Sequence, residues 1–257
     1  MKKHGCNEII QYEDLENIPL PPARKRFVPI SHKDYFDRAV DNLGMLNYKI
    51  KDPKFIADQT RQKLCITFGL INDNLAAHNQ YEFLVGLLSS TDSSMAKKLF
   101  TGSNTYNCTN QHWDGEIILS RKHTRNAVYD INRGLRDFVF TIADKQREVF
   151  ANYEKLREYD FTSRSEAHDF VVETCQRDIL PWQHAPKVLE HWNNPEHEEF
   201  NTRDGFSMVN AFTSHWRNSN PFTLSKKTME LRSFIDEFKN PENLETDQQR
   251  SGTTYFV

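Results

Sequence analysis

Apolar residues alternate with polar ones through much of the first half of this chain, and recur at three- and four-residue spacing through most of the second. The change falls just after Lys122. Before it, "LNYKI", "RQKLCITFGL" and "YEFLVGLLSS" read as strands, and in the third Tyr81, Phe83, Val85 and Leu87 fall on one face. Leu84 and Leu88 make the other face apolar too, which predicts a strand in the middle of its sheet, because only an interior strand is covered on both sides. "NTYNCTN" and "GEIILS" read as two more strands, joined across "QHWDG" with an Asp-Gly turn signal. "FVPI" reads as a short strand. Ser31 is placed to cap a helix, "HKDYFDRAVDNLG", that ends at Gly44. "TDSSMAKKLF" reads as a short helix, capped from Thr91 to Ser94 and stopped at Gly102.

After Lys122, Val128, Ile131, Leu135, Phe138, Ile142 and Val149 define one apolar seam. The spacing predicts a long helix from about His123 to about Tyr159, roughly 50–55 Å at 1.5 Å per residue. Lys145 and Asn152 interrupt the seam. The first part is therefore expected to pack on the chain's own sheet, and the later part to break or to reach a second subunit, a route to self-association. Three further helices follow: "SRSEAHDFVVETCQRDI", "TRDGFSMVNAFTSHWR" and "TLSKKTMELRSFIDEF", with Pro181 closing the first and Pro221 separating the other two.

Strands followed by helices give an α+β class: a mostly antiparallel sheet in the N-terminal half packed by a long helix, then a helical C-terminal half. Residues 1–26, with three prolines in "IPLPPARKRF", read as a flexible segment. Residues 27–239 read as a single α+β domain, and residues 240–257 as a polar acidic tail ending in Tyr255, Phe256 and Val257.

Composition changes this picture in three places. The 18 phenylalanines make the expected core aromatic. The net charge of −3 provides no general field for nucleic acid, so an anionic partner needs a local basic patch. Cysteines at Cys6, Cys65, Cys108 and Cys175 have no paired spacing, which points to reduced thiols in a reducing compartment rather than disulfides or zinc. No apolar run approaches a membrane span and the start lacks a hydrophobic signal core, so a soluble cytoplasmic protein with no membrane partner is expected.

Candidate chemistry concentrates in "TYNCTNQHWDGEIILSRKHTRNAVYDI". Cys108, His112 and His123 do not form the close ligand pairs that zinc needs. His191, His197, Glu198 and Glu199 of "HWNNPEHEEF" could supply metal ligands but read as a solvated acidic loop. No G-x-S-x-G elbow, P-loop or H-E-x-x-H occurs. No catalytic residue, metal or cofactor is therefore assigned, and a metal-dependent enzyme is the third-ranked reading.

The basic turn is more informative. Arg121, Lys122, His123, Arg125, Tyr129, Arg133 and Arg136 form a candidate nucleic-acid surface. On a helix, Arg125, Tyr129, Asn132, Arg133 and Arg136 share a face about 120° from the seam. Arginines interleaved with tyrosine beside a helix N-terminus suit a phosphate backbone or a stacked single strand. A solvated helix face and a protein-docking face stay open beside it.

"FVPISHKDYFDRAVDNLG" resembles the opening of a phage and plasmid family known only as the domain of unknown function numbered 932. "VGLLSSTDSSMAKKLFTGSNTYNCTNQHWDGEIILSRKHT" resembles its central signature, in which a serine-aspartate turn, a strand with cysteine and asparagine, and a glycine-led strand run into a lysine-histidine-threonine helix start. "GFSMVNAFTSHWR" is similar to its asparagine-alanine-x-threonine helix. The likeness runs from about Phe27 to Ile235. It departs at "NCTNQHWDG", where the family has a more apolar link, and in the first 26 residues, which have no counterpart.

The resemblance implies a mobile-element protein, encoded by a phage and acting in the cytoplasm of a bacterial host, and it implies no activity. Together with the basic face, and by fold-level analogy to annealing proteins, it leads to an expected nucleic-acid-binding protein of replication or recombination, acting on single-stranded DNA. The alternative is an interaction protein that inhibits or redirects a host protein.

Overall fold

The computed structural model describes residues 7–78, 81–105, 111–113, 117–217 and 219–240. Seven strands form one sheet: β1 (Glu8–Ile10), β2 (Lys49–Ala57), β3 (Lys63–Ile71), β4 (Tyr81–Ser90), β5 (Lys97–Thr105), β6 (Gln111–His112) and β7 (Ile117–Arg121). The order is β1-β2-β3-β4-β5-β6, β7 also pairs with β5, and every pairing is antiparallel. The described residues also form six α-helices: α1 (His32–Gly44), α2 (Ala127–Arg157), α3 (Arg164–Gln176), α4 (Ala185–Asn193), α5 (Gly205–Trp216) and α6 (Pro221–Lys239). Strands dominate the N-terminal half and helices the C-terminal half, so the class is α+β.

β4 is interior, between β3 and β5, and buried on both faces apart from Glu82. On one face Val85 pairs with Phe68 and Leu87 with Ile66, and Phe36 of α1 closes over them, its ring 6.1 Å from Phe68 and 5.1 Å from Phe55. The other face carries Gly86, where a Cβ would lie 2.3 Å from the Phe100 ring, so the aromatic fill excludes any side chain there. Ser31 caps α1 as its sequence announces, its Oγ accepting from the Asp34 N–H at 2.9 Å.

α2 buries Ile131, Leu135, Phe138, Ile142 and Val149, and the same line continues through Tyr153 and Leu156. The expected interruption does not break the helix. Gln146, not Lys145, occupies the seam, and its buried amide accepts from the Ala76 N–H at 2.9 Å and donates to the Ala76 carbonyl at 3.0 Å. The chain divides into two compact units, the described residues of Met1–Asn152 with Trp216–Ser225, and those of Tyr153–His215 with Lys226–Val257. In the second, Phe170 stacks on Phe234 at 5.0 Å and meets Phe212 edge-on at 6.0 Å, which bears out the aromatic core.

Three local expectations are corrected. "TDSSMAKKLF" is not a helix: Lys97, Leu99, Thr101 and Ser103 are all buried on alternate positions of β5, in register with β4 from Leu88–Lys98 to Tyr81–Thr105. Cross-strand pairing outweighs local helix propensity here. "FVPI" is not a strand; Phe27 closes a turn with Arg24 instead. Within the segment expected to be flexible, β1 pairs with β2, and Ile10, Leu15 and Ile18 are buried. Those three apolar side chains anchor it despite its prolines. Cys108 and the Asp-Gly turn lie outside the described residues.

Candidate functional site

The strand-to-helix transition from β7 to α2 places the candidate residues. Arg121, Lys122, Arg125, Tyr129, Arg133 and Arg136 are exposed. Arg121 is partly engaged, donating to its neighbour's Ser120 carbonyl at 2.9 Å and lying 3.7 Å from Asp130. Among the described residues, Arg125, Arg133 and Arg136 form no ion pair.

His123 does not belong to this surface. It is buried, its ring lies 5.4 Å from that of Phe27, and its carbonyl accepts from the Val28 N–H at 3.3 Å. Burial first, then the charge of Lys97, pushes its pKa down, which favours the neutral ring. Asn132 also leaves the expected face, accepting from Arg38 of α1 at 3.2 Å.

The face gains a residue that the seam analysis passed over. Phe140 is 66% exposed, nearly as open as Tyr129 at 70%. At about 100° per residue, Tyr129, Arg133, Arg136 and Phe140 fall within an arc of about 60°, about 160° from the buried seam. The two rings stand about 16 Å apart along the axis, with the two guanidinium groups between them. Asp130 and Asp137 follow a neighbouring flank, about 70–90° round the helix. Two π-faces and two unpaired guanidinium groups in one line can stack bases and neutralise phosphates.

A second polar group lies in the core, and the sequence did not announce it. Lys97 has no exposed surface. Its Nζ donates to Ser89 Oγ at 2.6 Å, reaches the Ser90 carbonyl at 3.4 Å, and sits 5.1 Å from the centre of the Tyr35 ring. Burial pushes this amine down to about 7, and the Asp34 carboxylate offsets only part of that. His32 Nδ1 lies 2.7 Å from the same Ser89 Oγ, and its Nε2 lies 3.1 Å from the Arg61 carbonyl.

The directions of these bonds follow from chemistry. A carbonyl can only accept, so Nε2–H donates to Arg61 and Nδ1 accepts from Ser89, whose oxygen in turn accepts from Lys97. His32 is thus held neutral, and burial followed by the Lys97 charge lowers its pKa to about 4. A hydroxyl between an amine and an imidazole has the parts of an activated nucleophile. Ser89 has no exposed surface, however, so the chain holds the sheet to α1 rather than meeting a substrate.

In the second unit His184 Nδ1 and His215 Nε2 lie 2.8 Å apart. Among the described residues, no three histidine, cysteine, aspartate or glutamate side chains come together to hold a metal, and His191, His197, Glu198 and Glu199 are not so gathered. Cys65 and Cys175 are free and buried. No described helix is long and apolar enough to cross a membrane. No protein-family model, curated protein or solved structure matches the chain.

Proposed function

We propose that the chain binds nucleic acid along the Tyr129–Phe140 face of α2, with single strands preferred to duplex. The observation that carries this reading is the pair of exposed rings with two unpaired arginines between them, opposite the seam that holds the helix to the fold. Base faces are hidden inside a duplex and open on a single strand, so exposed rings favour the latter. In this mechanism the arginines neutralise phosphates, Tyr129 and Phe140 stack bases, and no covalent bond changes. By fold-level analogy to annealing proteins this binding would serve replication or recombination, and the resemblance to the phage and plasmid family bears only on the setting, a mobile element.

The test is fluorescence anisotropy with single-stranded DNA, duplex DNA and RNA at two salt concentrations. Replacing Arg133 and Arg136 together by alanine should flatten the dependence of log affinity on log salt by about 0.7 per lost contact. Tyr129→Ala should cost about 1–3 kcal/mol of binding. Absence of binding by the unaltered protein at low salt would overturn the reading. The face would then belong to a protein partner such as a host factor, since exposed aromatic and arginine side chains also make the strongest protein contacts.

A further inference from the structure

Lys25 and Arg26 stand at the tip of a tight turn whose ends exchange both backbone hydrogen bonds, Arg24 N–H to Phe27 at 2.8 Å and Phe27 N–H to Arg24 at 3.1 Å. The turn is held against the approach to α2 by the Val28–His123 hydrogen bond and the Phe27–His123 ring contact. Two segments far apart in the chain therefore meet, and Lys25, Arg26, Thr124 and Arg125 line a cavity of about 350 Å³. Its described lining includes three cations and no acid. None of the three forms an ion pair among the described residues.

Lys25, Arg26, Thr124 and Arg125 are all exposed, so water screens the three charges from one another and leaves their donors open to an incoming anion. Guanidinium groups and an ammonium, with a hydroxyl beside them, match the oxygens of a phosphate, and an arginine can bind two of those oxygens at once. The first turn of α2 begins two residues beyond Arg125, so the positive end of its dipole adds to the same field, although the Ala127 N–H is already taken by the Thr124 carbonyl at 3.1 Å.

We infer that this cavity is a phosphate site that takes the terminal phosphate of a strand lying along α2. The inference rests on the nucleic-acid reading above, and Arg125 joins the two. It lies four residues before Tyr129, in the turn that leads into α2. A phosphate held by Lys25, Arg26 and Arg125 would leave the next base within reach of the Tyr129 ring. A terminal monoester carries up to two charges where an internal diester carries one, so a site with three cations favours strand ends.

The experiment compares one short oligonucleotide with a 5′-phosphate, a 3′-phosphate, or neither, and titrates inorganic pyrophosphate alone to separate a strand end from a free phosphate. A phosphate at one end should tighten binding about tenfold, the size of one charge-assisted hydrogen bond. Lys25→Ala combined with Arg26→Ala should remove that gain and leave the unphosphorylated strand's affinity unchanged, with an unchanged melting curve showing that the variant folds. Pyrophosphate should compete away the gain alone.

Equal affinity for all three strands, or a gain that survives the double substitution, would overturn the site while the stripe on α2 stands. If no strand binds, the α2 reading falls. The cavity is then judged on pyrophosphate, whose binding to the unaltered protein but not to the double variant supports a phosphate site and whose failure to bind refutes it.

Discussion

Arg133 and Arg136 stand in water on α2, one helical turn from an exposed tyrosine and an exposed phenylalanine. Lys97 lies between β4 and α1 with no exposed surface, one serine hydroxyl from a buried histidine. Both regions combine cations with aromatic rings, yet water makes them chemically different. In water a guanidinium keeps its charge and can exchange hydration for a phosphate. In the core an amine without a carboxylate partner holds its proton far less firmly, down to about 7, and its main value is as a hydrogen-bond donor. The same residue class thus serves attraction at one site and cohesion at the other.

Charge reversal should separate the two most widely. Lys97→Glu would bury a carboxylate against the Ser90 carbonyl, with only the Ser89 hydroxyl, already engaged by His32, to donate to it, and should cost about 3–5 kcal/mol in urea denaturation. Arg133→Glu should change stability by no more than about 0.5 kcal/mol while weakening strand binding. Comparable stability losses in both variants would erase the distinction.

Protonation offers a milder probe. Lys97 falls from 10.5 in the unfolded chain to about 7 when folded, so above pH 7 the unfolded state binds more protons and stability rises with pH. The slope is at most about 1.4 kcal/mol per pH unit. It should be read between pH 7 and about 8.5, because the Cys65 thiol, raised by burial to about 12, pulls the other way once its unfolded counterpart ionises. Lys97→Met should flatten this window. His32, at about 4 when folded and 6.5 unfolded, should still lower stability as the pH falls from 6.5 to 4. A profile unaltered by Lys97→Met would mean that the amine is protonated in the core.

The smallest expected effect contrasts two tyrosines. The Tyr35 hydroxyl is buried with no hydrogen-bond partner among the described residues, so Tyr35→Phe should leave stability unchanged or raise it by about 1 kcal/mol. The Tyr129 ring is 70% exposed, and its loss should affect binding and not melting. A clear loss of stability in Tyr35→Phe would show that the hydroxyl has found a partner, such as a water.

How much of this was legible depended on whether the signal was local. β4 declared itself interior because both its faces are apolar, and the first turns of α2 because their apolar residues repeat every three or four positions. β5 hid behind alanine, lysine and a capping serine, although Lys97 and Leu99 already alternate with the residues between them. Phe140 was legible and overlooked: two positions from Phe138, it points about 200° away from it. Burial of Lys97 was not legible, because only the strand opposite supplies the serine that makes it tenable. Nor was the meeting of Lys25 and Arg26 with Arg125, since nothing local to either segment points to the other.

Gln146 and Ala76 bear on a different matter, the axial position of a helix. Apolar seams are forgiving: slide such a helix by a turn and leucine-sized groups meet leucine-sized holes again. An amide that both gives and takes a hydrogen bond is not forgiving. Displacement of α2 by three or four residues would bring Ile142, Ala143, Val149 or Phe150 to the place of Gln146, and none of them can answer the two backbone groups of Ala76. The glutamine therefore works as an indexing pin, selecting one setting from several that packing alone would accept. It also fixes how far along its axis α2 carries the Tyr129 and Phe140 rings.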